Sequence, residues 1–194
     1  MNTEIEVKFL SVDHDDVRTR LRELGAVCEK PMRLMRRVTF DSAAMKAKNG
    51  WVRVRDKGDK VTIGYKQTDS LDIDGTKEIE TTVGDFDAAV AIFTQLEIDG
   101  GSFQESKRES WRLDDVQIEL DEWPWLDPYI EVEAPSEALV HSIATKLGFA
   151  MSEAVSGDVM AAYRMQYPHL GLKDTVGNLA EVKFGAPLPD MFKK

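Results

Sequence analysis

The ionisable residues of this chain recur on a two-residue period and are sorted by sign. Glu4, Glu6 and Lys8 alternate with Ile5, Val7 and Phe9 at the start, and Arg53 and Arg55 alternate with Val52 and Val54 in WVRVRD. Lys66 is in phase with Thr62 and Gly64 in VTIGYK. Acid pairs follow: Glu78 and Glu80 in KEIETTV, Glu119 and Asp121 in VQIELDE, and Glu131 and Glu133 in YIEVEA. A period of two sets each group on one face of a strand, with apolar residues on the other. The chemistry open to such a set is the handling of a polyanion together with a hard cation. Arginine grips phosphate oxygens as a fork and lysine as a point charge, while carboxylates suit Mg²⁺ or Mn²⁺.

A set of this kind needs elements to position it. Eight strand-like runs are legible: IEVKFL, RLMRRVTFD, WVRVRD, KVTIGYKQ, TKEIETTV, FQESKRESWRL, DVQIELDEW and PYIEVEA. Helix periodicity appears in SVDHDDVRTRLRELGA, capped by Asp13 and stopped at Gly25. It appears again in GDFDAAVAIFTQLEIDGG, stopped at Gly100 and Gly101, and in PSEALVHSIATKLGF, capped by Ser136 and stopped at Gly148. GDVMAAYRMQY is a weaker fourth helix. This is an α+β pattern with an antiparallel sheet. The ordinary place for an ionised strand face is water. Like charges opposed across strands are unfavourable, however, so sorting by sign calls for a reason. Eight antiparallel strands can close into a barrel that holds one small ligand, and helices covering the apolar faces would turn the charged faces inward.

The bulk properties fit this reading. The 194 residues allow one domain with a real core, 42% of them are hydrophobic and 31% charged, and the net charge is −10. No Lys/Arg run supplies the basic face that nucleic-acid binding requires, so no nucleic-acid partner is expected. Cys28 is the single cysteine, which excludes an internal disulfide framework and suits a reducing, cytoplasmic setting. No apolar stretch is long enough for a membrane-spanning helix, so no membrane partner is expected. The tail after Pro168 shows little periodicity and reads as a loosely packed extension, residues 168–194, following a domain of residues 1–167.

The ordered series of an E-x-E-x-K strand, R-x-R, a strand lysine, E-x-E, a Lys-Arg pair, E-x-D and a final E-x-E resembles the CYTH superfamily of triphosphate tunnel metalloenzymes. That family includes class IV adenylate cyclases, thiamine triphosphatases and inorganic triphosphatases, and the resemblance spans about residues 3–165. It implies an eight-stranded antiparallel tunnel with helices outside, binding a triphosphate with Mg²⁺ or Mn²⁺. By the same resemblance, Glu4 and Glu6 hold metal with Glu131 and Glu133, while Lys8, Arg53, Arg55, Lys66 and Arg108 bind phosphate. Glu4, Glu6, Lys8 and Lys66 are the catalytic candidates. Glu78, Glu80, Glu119 and Asp121 are further tunnel acids that orient the bases or, for Glu119 and Asp121 above all, hold metal. Of Lys107 and Arg108 only one can face inward, and Arg108 is favoured by its phase with Ser110 and Arg112. Arg37 is an additional tunnel candidate.

The implied activity is hydrolysis of a triphosphate, with inorganic triphosphate the simplest substrate and ATP or thiamine triphosphate the organic ones. The alternatives are cyclisation of ATP to cyclic AMP and pyrophosphate, and a non-catalytic triphosphate- or polyphosphate-binding module. Monomer and homodimer are both compatible with the sequence. His14, His141 and His169 have no ligand spacing, and Trp123 and Trp125 are expected to pack at a rim.

Overall fold

The N-terminal segment joins the two ends of the sheet. In the computed structural model, which describes residues 1–70, 72–98 and 100–193, this segment is split at Ile5 into β1 (Asn2–Glu4) and β2 (Glu6–Phe9). The other strands are β3 (Val27–Phe40), β4 (Gly50–Asp56), β5 (Val61–Thr68), β6 (Thr76–Val83), β7 (Gly100–Leu113), β8 (Val116–Trp123) and β9 (Leu126–Glu133). Their neighbour order is β1-β6-β5-β4-β3-β7-β8-β9-β2, antiparallel throughout. Because β1 runs on into β2, that path returns to its own start. Glu4 lies opposite Thr76 of β6, and Glu6 lies opposite Glu133 of β9. At the break, the Ile5 carbonyl accepts from the Ala134 N–H at 3.1 Å and the Glu6 N–H donates to the Ile73 carbonyl at 3.2 Å, so the backbone stays paired. The barrel therefore has the expected eight strands, with the first one interrupted.

The helices lie against the apolar outer faces. α1 (His14–Glu23) starts on Asp13, whose side chain accepts from the Asp15 and Asp16 N–H groups. α4 (Glu137–Lys146) starts on Ser136, and α5 (Val159–Gln166) starts on Asp158. Gly25 and Gly148 follow α1 and α4 with φ of 79° and 83°, the left-handed conformation in which glycine ends a helix without strain. Val17 and Leu21 of α1 and Val140, Ile143 and Ala144 of α4 pack on Val7, Phe9, Ile118, Leu120, Ile130 and Val132. α3 (Phe86–Gln95) places Phe86 and Ala89 on Val38, Phe40, Val52 and Val54, beside a short α2 (Ala43–Lys46) that the sequence reading did not anticipate. Among the described residues no helix is long and apolar enough to cross a membrane.

Two expectations are corrected. α3 does not run to Gly100 and Gly101. The chain turns at Glu97, with φ of 53°, and the glycines open β7 instead. The register moves from Thr39–Ser102 to Phe40–Gly100, so Gly101, with φ of 97°, is the extra residue of a β-bulge.

The tail, expected to be loose, is integral up to Lys193; Lys194 lies outside the described residues. β7 extends beyond the start of its pairing with β8, and β10 (Glu181–Val182) pairs in parallel with it at Phe103 and Gln104. Leu170, Val176, Val182 and Phe192 are buried with Trp123, Tyr129, Met160 and Tyr163. These apolar residues arrive singly, on a two-residue strand, short 3₁₀ segments and irregular chain, and so produce no periodic signal. Phe192→Ala is expected to lower stability by about 3–5 kcal/mol in urea unfolding, whereas Leu172→Ala, at a side chain 90% exposed, leaves the midpoint unchanged.

Candidate functional site

With the apolar faces under helices, the alternate residues of every strand point into the barrel. Glu6, Lys8, Arg37, Arg53, Arg55, Glu119, Asp121 and Glu131 are all buried. Ions removed from water persist only when paired. Some pairs join neighbouring strands, such as Lys8–Glu131, Lys66–Glu78 and Arg108–Asp121, and others reach over a strand between, such as Arg53–Glu78 and Lys66–Glu4. Arg53 on β4 reaches over β5 to Glu78 at 2.9 Å and Glu80 at 3.7 Å on β6. Gly64, between them on β5, leaves the room: a Cβ there would lie 2.9 Å from Glu78 Oε1. Lys66 lies 2.7 Å from Glu4 and 3.4 Å from Glu78. Lys8 lies 2.9 Å from Glu6 and 3.2 Å from Glu131, and donates to the Gly157 carbonyl at 2.7 Å. Arg108 donates to Asp121 at 2.7 Å and reaches across to Glu131 at 3.5 Å and Glu119 at 3.9 Å.

The compensation is incomplete in opposite senses on the two sides. On β3 and β4, Arg37 and Arg55 have no carboxylate at ion-pair distance among the described residues, and the Nε–H groups of Arg37, Arg53 and Arg55 are buried without an acceptor. Burial, reinforced by Arg53 and Arg108, pulls the Arg37 guanidinium down to about 9. Arg55 is driven well below its ordinary range by burial and by Arg53 and Arg37. On the β1, β2, β8 and β9 side the acids are crowded. Burial, then Glu131 and Glu6, pushes the Glu133 carboxyl up to about 7. Burial and a hydrogen bond with Glu78 push Glu4 up to about 8, and Glu78, though buried, is held low by that same bond and by Lys66 and Arg53. Burial would raise Glu131 as well, but Lys8 and Arg108 outweigh it and hold it well below the usual range. Glu119 is raised by burial and keeps one carboxylate oxygen, Oε2, buried without a partner.

The sequence candidates Glu4, Glu6, Lys8, Arg37, Arg53, Arg55, Lys66, Glu78, Glu80, Arg108, Glu119, Asp121, Glu131 and Glu133 thus share the inner face. Lys107 does not: it lies outside with Glu122 at 3.0 Å and over the Phe184 ring, because neighbours on a strand face opposite ways. Trp123 is inside the end of the barrel, with the Arg37 guanidinium 4.4 Å above its ring, and Trp125 packs on Phe192. Together with Tyr129 and, behind it, Tyr163, Trp123 makes an aromatic floor that the tail holds in place. His14 is bonded to the Tyr129 carbonyl, and His141 and His169 lie elsewhere. Two inward positions escaped the sequence reading. Half-buried Trp51 precedes Arg53 by two residues, and Lys57 follows Arg55 by two, with Glu80 at 2.8 Å. Counting the period back to the first residue of WVRVRD finds Trp51, and one step past its end finds Lys57.

Among the described residues no three Asp, Glu, His or Cys side chains form a ready-made metal cage, since Lys8, Lys66 and Arg108 stand among the acids. The donor set nevertheless has the chemistry of a hard-cation site. Its oxygens are carboxylate, one of them is orphaned, and Glu133 is raised by burial and then by the charges of Glu131 and Glu6, charges that a divalent ion would offset.

Residues 2–158 match the model of the CYTH domain. Among solved structures, the chain is similar to the PH1012 protein of Pyrococcus horikoshii, with a TM-score of 0.69, 22% identity, and coverage of 82% of this chain and 98% of that one. It is similar to a candidate adenylate cyclase of Vibrio parahaemolyticus, with a TM-score of 0.69, 10% identity, and coverage of 84% and 98%. It is also similar to HpAC1 of Hippeastrum, with a TM-score of 0.52, 17% identity, and coverage of 84% and 96%. These likenesses show the fold. No curated protein matches the chain.

A carboxyl that binds its proton more tightly when folded contributes stability below its unfolded value and loses it as pH rises through the folded one. The shift of Glu133 from 4.5 to about 7 therefore makes the metal-free protein less stable as pH rises from about 5 to about 7. Glu133→Gln is expected to flatten that slope and to add of order 2 kcal/mol at pH 8, read from urea midpoints in EDTA.

Proposed function

The chain belongs to the CYTH domain family, and from that premise we propose that it is a divalent-metal-dependent enzyme that hydrolyses a triphosphate, with inorganic triphosphate the simplest substrate. One observation carries the reading: the basic wall of Arg37, Arg53 and Arg55 keeps buried donors without acceptors, opposite a wall with surplus carboxylates. A polyphosphate supplies the missing acceptors. Glu4, Glu6, Glu119, Asp121, Glu131 and Glu133 would hold Mg²⁺ or Mn²⁺, which when bound supplies Lewis acidity beside the phosphoryl oxygens and removes the repulsion between acids and substrate.

The chain's own residues do the positioning. Arg37, Arg53 and Arg55 align the phosphate chain by forked hydrogen bonds, and Lys8, Lys66 and Arg108 balance the charge that develops as a P–O bond breaks. Lys8, Lys66 and Arg108 are held by ion pairs before substrate arrives, so little reorganisation of these three accompanies the reaction. The description of HpAC1 gives that protein a dominant triphosphatase activity, which supports hydrolysis over cyclisation for this relative.

Incubation with inorganic triphosphate, ATP and thiamine triphosphate, each with Mg²⁺ or Mn²⁺, is expected to release phosphate. Formation of cyclic AMP and pyrophosphate from ATP would make the protein a cyclase instead. Tight triphosphate binding with no turnover would make it a binding module. Lys66→Met and Glu6→Gln are each expected to lower kcat about 10²–10³-fold while far-UV circular dichroism is retained. Activity surviving both replacements would remove these residues from the site.

A further inference from the structure

On the inner face of β3 to β7 the cations are unequally matched from one cross-strand row to the next. Lys66 lies directly opposite Glu78, and Arg53 lies opposite Gly64, which in turn lies opposite Glu80. Each of those rows carries its own acid. The next row along β4 runs Gln104, Arg37, Arg55, Thr62 and Thr82, each directly opposite the next on β7, β3, β4, β5 and β6. It holds no carboxylate.

Thr62 stands out in that row because its side chain is neutral, 1% exposed, and has a buried Oγ1 without a hydrogen-bond partner. It faces inward, since Val61, Ile63 and Tyr65 on the other face of β5 pack with Phe86 and Ala89 of α3. Its two neighbours across the strands share its condition, for the Nε–H groups of Arg55 and Arg37 are also buried without an acceptor. Three consecutive positions on three adjacent strands therefore hold unused donors. Directly opposed residues have Cβ atoms about 4.5–5.5 Å apart, a spacing that lets a threonine hydroxyl and the long arginines beside it address one tetrahedral oxyanion.

We propose that this row is a subsite for a single phosphoryl group and that Thr62 is a further substrate-binding residue in it, its hydroxyl donating to the group that Arg37 and Arg55 also hold. This rests on the triphosphate reading of the bore and deepens it, by placing one phosphoryl group at a stated level and adding a neutral donor to its contacts.

The electrostatics of the row favour such an occupant. Arg37 lies directly opposite Arg55, and like charges so opposed are unfavourable until an anion comes between them. The Arg37 guanidinium is steadied only by neutral groups, Ser106 Oγ at 2.9 Å and the Trp123 ring at 4.4 Å, which leaves its Nε–H for a ligand. A hydroxyl adds a donor at this level without adding to the repulsion. Valine has the shape of threonine, and in the ligand-free protein it would avoid the penalty of a buried hydroxyl that bonds to nothing. Threonine at this position is explained by a bound acceptor.

The test is equilibrium binding of tripolyphosphate by isothermal titration calorimetry, on the full chain in EDTA and, with Mg²⁺, in the Lys66→Met background where turnover is slowed. Thr62→Val is expected to weaken binding about tenfold, the range of a hydrogen bond to a charged group, while Thr62→Ser stays within about threefold of its parent. Without ligand, Thr62→Val should keep or raise the urea midpoint, which a hydroxyl bonded within the protein would not allow. In an Arg55→Met background the loss caused by Thr62→Val should shrink below about threefold, because two side chains that address one group are coupled. Unchanged affinity in Thr62→Val overturns the proposal, as does a lowered ligand-free midpoint or a loss that is the same with and without Arg55. Binding of tripolyphosphate in neither setting overturns the phosphate reading of the bore itself.

Discussion

The structure depends on a rule of electrostatics: a charge taken out of water must meet an opposite charge or lose its ionisation. This barrel gathers at least fourteen ionisable side chains on its inner face, eight of them buried, and it meets the rule only in part. Lys8, Lys66 and Arg108 each engage two or more carboxylates, and Arg53 is shared by Glu78 and Glu80. What remains unbalanced is separated in space, with spare donors on β3 and β4 and spare acids on the side of β2, β8 and β9. Such a bore is poorly suited to being empty and well suited to a polyanion that arrives with a cation.

The rest of the fold follows from keeping those charges inward. α1, α3 and α4 cover much of the apolar outer face, although Val27, Leu34 and Ile79 stay exposed, and the ionised face turns inward, the reverse of an open sheet whose charged face is wet. The interrupted first strand closes the ring and in doing so brings Glu4 beside β6 and Glu6 beside β9, placing one E-x-E pair against two different walls. Gly64 contributes by lacking a side chain, which lets Arg53 reach over β5. The tail closes one end from behind Trp123 and Tyr129, with β10 on the edge of β7 that β8 leaves free.

Much of this was legible in the sequence because strand alternation is a strict period. The phase of Arg108 with Ser110 identified it over Lys107, and the caps Asp13 and Ser136 marked their helices correctly. Trp51 was missed as the uncharged first residue of WVRVRD, and Lys57 because the period continues one step past the end of that run, next to the turn residue Gly58. The tail was illegible for a different reason. Its buried residues Leu170, Val176, Val182 and Phe192 each fill a gap made by residues far away in sequence, and no local pattern encodes such a contact. The end of α3 was misplaced because Gly101 serves a bulge, which a glycine signal alone does not distinguish from a helix stop.

Family membership and the two-walled bore point to one arrangement of ligands, and a crystal structure with tripolyphosphate and Mn²⁺ examines it most directly. The account predicts phosphate density along Arg37, Arg53 and Arg55 inside the barrel, with the anomalous manganese signal against the carboxylates of the opposite wall. Polyphosphate bound on the outer surface with the bore unchanged, or manganese away from those acids, would contradict it.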